Sequence, residues 1–284
     1  MGLIDVFQRG VTGITRFIEI MNIPDEEEGK IYIKNEIKNI RVENLNFAFG
    51  EKNILKNISF EAAKGEKIAL VGESGAGKTT IFSLLKKTFL TSENSIFIND
   101  KNINSLNRKT LLKKIAVVDQ KENLMNKSLL ENVKIVKKHA EQKDIESAFS
   151  FSCLEDMIKE LENKENTKLG EGGVNLSSGQ KQRISIARTL LKKSKILIFD
   201  DSTSALDTGT EAKIQSVLKN KYKDVTKIII AQKITSVMNS DKIILIHGGK
   251  IIGEGTHDYL MANSKEYREI YESQIREEDE LNGR

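Results

Sequence analysis

The chain has 284 residues, 38% hydrophobic and 30% charged, which is typical of a globular protein with one large core or two smaller ones. No apolar run approaches the ~18 residues of a membrane span, and no secretory signal is expected, because the N-terminus lacks a basic start and an apolar block. The net charge of +4 is too even to indicate nucleic acid as a partner, so lysine groups such as Lys192, Lys193 and Lys195 are expected on the solvated surface. The single cysteine, Cys153, cannot form an internal disulfide and favours a reducing compartment.

Residues 1–22 have the apolar spacing of an amphipathic helix. The apolar face consists of Leu3, Phe7, Val11, Ile14, Ile18 and Met21. Pro24 and the acidic run that follows it break this pattern, so residues 1–29 are expected to form a helix and a linker, attached to something before or beside them. A membrane-surface helix is the alternative, but the mixed charges of its polar side provide no basic face.

From Ile31 onward, short alternating segments predict an antiparallel hairpin that leads into a nucleotide-binding strand. Strands are then predicted over 67–71, 95–98, 115–118, 196–199, 227–230 and 242–246, and helices over most of 129–161, 177–192 and 209–220. Strands that alternate with helices indicate an α/β fold with a parallel sheet. The all-helical stretch between about 121 and 194 is then an inserted lobe.

The most specific motif is Gly72-Glu73-Ser74-Gly75-Ala76-Gly77-Lys78-Thr79, followed by Thr80, which fits G-x-x-x-x-G-K-[ST] between a predicted strand and a predicted helix. Glycines allow the backbone to turn its N–H groups inward onto a polyphosphate. Lys78 adds a positive charge for the terminal phosphates, and the Thr79 hydroxyl is placed to bind Mg²⁺. A glycine-rich turn that matches by chance is the alternative.

Two further segments suggest anion and metal chemistry. The strand 196–199 ends at Asp200 and Asp201, and the carboxyl ends of strands in such sheets lie at the ligand, so Asp200 is the expected Mg²⁺ partner. Both aspartates also fit a helix cap. The segment that contains Ser177, Ser178, Gly179 and Gln180 opens a helix and is a second candidate anion site, although serine before a helix is commonly only a cap.

Together, these segments resemble the Walker A, signature, Walker B and D-loop motifs of ATP-binding cassette (ABC) proteins, in order and in spacing, over residues 37–262. The D-loop motif is Ser204-Ala205-Leu206-Asp207. The resemblance implies a P-loop NTPase (RecA-like) core with a mixed sheet, an N-terminal antiparallel β subdomain and an inserted α-helical subdomain. Its implied bounds are 30–120 and 195–262 for the core, 121–194 for the helical subdomain and 263–284 for a C-terminal helical tail.

The resemblance also implies a MgATP site shared by two such domains, arranged head to tail. Phe49 then corresponds to the aromatic residue that stacks on adenine, and Thr79 and Asp200 to Mg²⁺ ligands. Gln120 corresponds to the glutamine that joins them at the metal, senses nucleotide and contacts the transport machinery. Residues 72–80 hold the phosphates, while 177–180 and Asp207 face the nucleotide or the seam of the partner domain.

Two features resemble exporters. Gly170-Glu171-Gly172-Gly173 is similar to an acidic loop that exporters place against their membrane domain, and residues 1–29 look like the segment that joins the last membrane helix to the nucleotide-binding domain. The implied partners are a membrane domain and a second nucleotide-binding domain, at the cytoplasmic face of a membrane. A soluble cassette ATPase and a regulatory ATP-binding module are the alternatives.

Three positions depart from the family pattern. Asp201 stands where the family has a catalytic glutamate, Gln232 where it has a switch histidine, and Ser178 at the first signature glycine. Asp201 is one methylene shorter than glutamate, and Gln232 cannot hold a proton. The sequence therefore predicts an ATPase with intact binding but impaired turnover, and a heterodimer in preference to a homodimer.

Overall fold

The computed structural model describes residues 2–23, 28–34, 36–92, 94–119, 123–200 and 205–282. In this part of the chain the strands are β1 (Asn39–Phe49), β2 (Lys52–Ala63), β3 (Lys67–Val71), β4 (Ile96–Ile98), β5 (Lys101–Asn102), β6 (Ile115–Val118), β7 (Ile196–Asp200), β8 (Thr226–Ala231), β9 (Lys242–His247) and β10 (Lys250–Gly255). The α-helices are α1 (Leu3–Met21), α2 (Lys78–Leu85), α3 (Arg108–Lys114), α4 (Leu129–Lys134), α5 (Gln142–Phe151), α6 (Glu155–Glu160), α7 (Ser178–Leu191), α8 (Thr208–Lys221), α9 (His257–Asn263) and α10 (Lys265–Asn282).

The predicted amphipathic helix at the N-terminus is present as α1. Its apolar residues remain exposed: Phe7 is 72% exposed and Ile14 62%. The predicted break at Pro24 and the start of the acidic run lie outside the described residues.

Two sheets confirm the predicted fold class. A four-stranded antiparallel sheet has the order β2-β1-β4-β5, and a six-stranded mixed sheet has the order β10-β9-β3-β8-β7-β6. In the larger sheet β3 is parallel to both β8 and β9, and β7 is parallel to β6 and β8, whereas β10 runs antiparallel to β9. Neither β5 nor β10 was predicted from the pattern.

Successive residues of β3 enter two different hydrophobic cores, because side chains alternate across a sheet. Ile68 and Leu70 pack into a core shared with the antiparallel sheet and α2. Ala69 and Val71 face the other core, which includes residues of α7, α8 and α10. Both faces of β3 are thus buried, as its continuous apolar sequence predicted.

Helices α4 to α7 surround a third core that contains Leu129, Val133, Ile145 and Ile184. The predicted helical stretch 129–161 is divided into three short helices, α4, α5 and α6.

The expectation that the lysines after α7 lie on the solvated surface is wrong for Lys192, which is half-buried, whereas Lys193 and Lys195 are exposed. The Lys192 ammonium donates hydrogen bonds to the carbonyl oxygens of Leu112 and Ile115, 2.8 and 2.6 Å away. Lys193 forms an ion pair with Asp144 of α5. Both side chains therefore tie α7 to neighbouring elements.

Candidate nucleotide-binding site

Three parallel strands bring the predicted site residues to one edge of the large sheet. Val71 at the end of β3 pairs with Ala231 at the end of β8, and Asp200 at the end of β7 pairs with Ile230. Gly72 and Gln232 follow Val71 and Ala231 directly in the chain. The start of the glycine-rich loop, Asp200 and Gln232 thus share the edge where α/β folds bind ligands.

The glycine-rich loop folds around the side chain of Lys78. The Lys78 ammonium donates hydrogen bonds to the carbonyl oxygens of Gly72 and Glu73, at 2.6 and 2.8 Å. The side chain is only 6% exposed, whereas Ser74 and Gly75 at the outer part of the loop are exposed. The loop therefore holds a positive charge at a position where it can bind an anion.

Gly77 connects this loop to α2 in a conformation that favours glycine. Its φ is +103°, and a Cβ at this position would lie 2.5 Å from Cδ2 of Leu55 on β2. The antiparallel sheet therefore packs directly against the loop. Ala76 is buried in the adjoining core, and Thr79 at the start of α2 is exposed.

An aromatic cluster lies at the end of β1, the strand that pairs with β2 through Phe47 and Leu55. The ring of Phe49 makes edge contacts with Phe47 and Phe89, at centroid distances of 4.9 and 5.0 Å. Phe49 is 47% exposed, so part of its ring is available to a ligand. Phe89 was not predicted as part of this cluster.

The predicted signature residues form the start of α7. Ser177 caps this helix: its hydroxyl accepts a hydrogen bond from the Gln180 N–H at 3.2 Å, while the Gln180 side chain accepts one from the Ser177 N–H at 2.9 Å. Ser177 and Ser178 are both exposed. A Cβ at Gly179 would lie 2.9 Å from the carbonyl oxygen of Ala205, so the signature residues lie against the predicted D-loop of the same chain.

Asp207 caps α8. Its carboxylate accepts a hydrogen bond from the Thr210 N–H at 2.9 Å, and the hydrogen bonds from Thr210 lower the pKa of the Asp207 carboxyl. A cap role is therefore present whether or not Asp207 also faces a partner.

The remaining predicted site residues differ in how deeply they are buried. Gln232 is exposed just beyond β8, Asp200 is half-buried at the end of β7, and Thr80 is half-buried in the first turn of α2. Gln120 and Asp201 lie outside the described residues, so their proposed roles stay predictions.

Sequence reasoning missed Gln274 on α10. Its side-chain amide forms hydrogen bonds with the backbone of Gln232 and of Ile234, on either side of residue 233. The signal was available, because Tyr267, Ile270, Tyr271 and Gln274 stand at i, i+3, i+4 and i+7 of one helix face.

The chemistry of these residues fits a nucleoside triphosphate with Mg²⁺. The loop supplies backbone N–H groups and the Lys78 charge for phosphates. The hydroxyl of Thr79 and the carboxylate of Asp200 are oxygen donors of the kind that Mg²⁺ prefers when it is shared with phosphates. These two residues would hold the ion.

A glycine-rich loop between a central parallel strand and a helix, with an aspartate at the end of a second parallel strand, β7, which is separated from β3 by β8, defines a P-loop nucleotide-binding protein. The family model described as ABC transporter matches residues 55–204, and the chain belongs to this family.

The names of curated relatives agree with this family assignment. The chain is 37% identical to the uncharacterized ABC transporter ATP-binding protein YfiB of Bacillus subtilis, a match that covers 96% of this chain and 48% of that protein. It is 35% identical to an ATP-dependent lipid A-core flippase of Photobacterium profundum, over 95% of this chain and 47% of the flippase. The chain thus spans about half the length of the curated relatives it matches.

A solved structure of a bacterial Atm1-family ABC exporter with ATP bound superimposes with a TM-score of 0.87 at 29% identity, over 94% of this chain and 47% of the exporter. Within the described part of the chain, no helix combines the length and apolar character needed to cross a bilayer.

Proposed function

We propose that this chain is the ATP-binding domain of an ABC exporter, that it binds ATP with Mg²⁺ and that it hydrolyses ATP weakly. The observation that carries the proposal is the buried ammonium of Lys78 inside the glycine-rich loop. An ammonium that the loop carbonyls hold in a buried position places a positive charge where it can bind an anionic ligand. The Thr79 hydroxyl and the Asp200 carboxylate would hold Mg²⁺, which supplies charge neutralisation for the phosphates.

Export is supported by the names of the relatives and by the N-terminal helix. A flippase and an Atm1-family exporter each share about half of their length with this chain. We propose that the part of these transporters outside the match corresponds to a membrane domain, and that residues 1–29 connect this chain to such a domain. The exposed apolar side chains of α1, such as Phe7 and Ile14, would then be covered in the full transporter.

Weak turnover is supported by residue chemistry at two positions. The side chain of Asp201 is one methylene shorter than that of glutamate, so its carboxylate reaches less far. A misplacement of a catalytic group by about 1 Å can lower a rate ~100-fold. Gln232 can donate a hydrogen bond to a phosphate but cannot carry a proton. Loss of general acid–base chemistry costs roughly 10²–10⁴-fold, while the residues proposed to hold phosphate and metal retain their donors.

A second nucleotide-binding domain would complete the assembly. Ser177, Ser178 and Gly179 form an accessible helix start, which would face a nucleotide held by the partner. A partner with an intact glutamate and histidine would compensate for Asp201 and Gln232, so we propose a heterodimer.

The proposal is tested by steady-state ATPase measurements on the chain with and without Asp201→Glu plus Gln232→His. We expect slow turnover in the wild type and at least a ten-fold gain in the double variant, with little change in ATP affinity. Brisk wild-type turnover that the double change does not raise would contradict the impaired site. ATP binding without turnover in either protein would instead favour a regulatory module.

A further inference from the structure

The C-terminal helix holds the backbone of the switch segment, here defined as residues 232–234. Oε1 of Gln274 accepts a hydrogen bond from the Ile234 N–H at 2.8 Å, and its Nε2 donates one to the Gln232 carbonyl oxygen at 2.9 Å. The rigid side-chain amide of Gln274 thus offers one acceptor and one donor, and the switch segment offers the complementary N–H and carbonyl groups. We call this pair of bonds the Gln274 clamp.

The base of the clamp is anchored in the protein core. Tyr267, two turns before Gln274 on α10, is fully buried, and its hydroxyl lies 2.9 Å from Nδ1 of His257. Ile270 and Tyr271 pack against the same core. On the other side, the switch segment ends at Ile234, which is also fully buried in that core. The clamp therefore joins two elements that are each fixed at one end.

The position of the clamp gives it a route to the nucleotide site. Ala231 pairs with Val71, the residue before the glycine-rich loop, so Gln232 begins the switch segment beside the start of that loop. Fixing the carbonyl of residue 232 and the amide of residue 234 restricts the backbone between them. The direction in which the Gln232 side chain leaves the sheet edge is therefore set in part by Gln274.

We propose that Gln274 is a positioning residue for hydrolysis, which acts through the backbone of Gln232 and does not touch nucleotide. This inference rests on the proposed ATPase function. The clamp contacts only backbone atoms at residue 232, so it should operate unchanged when His replaces Gln232. Displacement of α10 would lower turnover without emptying the nucleotide site.

The test compares two substitutions of Gln274, each in the wild-type chain and in the Asp201→Glu Gln232→His chain. Gln274→Met has similar length and loses both hydrogen bonds, whereas Gln274→Glu keeps an acceptor for Ile234 and loses the donor to Gln232. Glu272→Gln, which removes an exposed ion pair with Arg276 on the same helix, is the control. The readouts are kcat and KM for MgATP, the Kd for the nucleotide, amide hydrogen exchange at Ile234, and the thermal unfolding temperature of each variant.

We expect Gln274→Met to lower kcat roughly 10- to 100-fold in the faster background, to change the Kd less than two-fold and to speed exchange at Ile234. Gln274→Glu should fall between Gln274→Met and the control. When Gln232 is replaced by Ala, the further change Gln274→Met should cost nothing in kcat, because the side chain that it positions is gone.

The inference is overturned if Ile234 exchange quickens while kcat stays the same, or if Gln274→Met lowers kcat equally with Ala at position 232. It is also overturned if all Gln274 variants lose stability and nucleotide affinity together, since that is the outcome of a merely structural role. Failure of the proposed function has a different signature, because the parent chains and the Glu272→Gln control would then show either no nucleotide binding or no turnover.

Discussion

The α-carbon of Gly72 lies against the carbonyl oxygen of Ile246, so close that a Cβ at position 72 would come within 2.1 Å of that oxygen. Gly72 opens the glycine-rich loop, and Ile246 belongs to β9, which is parallel to β3. The loop thus leaves the sheet through a gap that only a glycine can occupy. The backbone contact is also rigid, because the oxygen belongs to a strand.

This contact predicts that Gly72→Ala destabilises the protein and disturbs the nucleotide site. Overpacking against fixed backbone costs about 1–3 kcal/mol, and relief of the clash would move the loop that holds Lys78. Chemical denaturation and ATP titration should both show the defect. Gly10→Ala on exposed α1, where a Cβ meets nothing within 4 Å, is the matched control and should be neutral or slightly stabilising. Equal behaviour of the two variants would contradict the account.

The half-exposed ring of Phe49 predicts a contribution to adenine binding. Stacking of a base on an aromatic side chain is worth roughly 1–3 kcal/mol, so Phe49→Leu should weaken ATP binding about ten-fold. Phe49→Tyr keeps the ring and should retain most of the affinity. Equilibrium titration with a fluorescent ATP analogue measures both variants. Unchanged affinity in Phe49→Leu would remove Phe49 from the site.

The cap formed by Asp207 predicts a pH-dependent contribution to stability. Its pKa in the folded protein is lowered, so the stabilisation is present above the ordinary carboxyl range and is lost as the pH falls through the pKa of the folded state. Asp207→Asn keeps a capping oxygen without the charge. Thermal melts should show the wild type more stable at neutral pH and the difference shrinking in acid. A difference that does not depend on pH would be inconsistent with this role.

We expect the buried side chain of Asn132 to stabilise residues 123–128, the described segment that follows Gln120 in the chain. Asn132 is fully buried, its Oδ1 accepts from the Met125 N–H at 2.9 Å, and its backbone carbonyl accepts from Nε of Arg188 at 3.0 Å. Its Nδ2 also donates to the carbonyl oxygen of Met125 at 3.1 Å. Asn132→Ala removes the two hydrogen bonds to the Met125 backbone, and each such bond is worth about 0.5–1.5 kcal/mol.

Urea denaturation and limited proteolysis near residues 123–128 should detect this loss. Asn220→Ala on α8, where the replaced asparagine is exposed, is the control and should differ little from the wild type. If both asparagine variants unfold at the same urea concentration as the parent, the buried network does not stabilise the segment.

Local sequence was sufficient for the parts of the site that local chemistry builds. The glycine-rich loop, the strand before Asp200 and the cap at Ser177 each depend on a few consecutive residues, so pattern and turn chemistry predicted them. The parallel strands of the larger sheet followed from alternating strands and helices, whereas β10, which runs antiparallel and makes the sheet mixed, did not.

Contacts between distant parts of the chain were not predictable in this way. Gln274 bonds a backbone carbonyl 42 residues away, and Lys192 bonds a carbonyl 80 residues away. Nothing in the neighbourhood of either residue specifies its partner. The strand β10 was missed because glycines at 253 and 255 weaken its strand pattern.

The most direct test of the central claim is the affinity of the chain for ATP with Mg²⁺ before and after Lys78→Ala, measured by calorimetric titration. Lys86→Ala, at the other end of α2 with its ammonium over the Phe82 ring, removes the same charge outside the loop and is the control. We expect ATP to bind the parent and Lys86→Ala with similar affinity, and we expect Lys78→Ala to lose at least ten-fold in affinity. Equal affinity in all three proteins would show that the glycine-rich loop is not the nucleotide site.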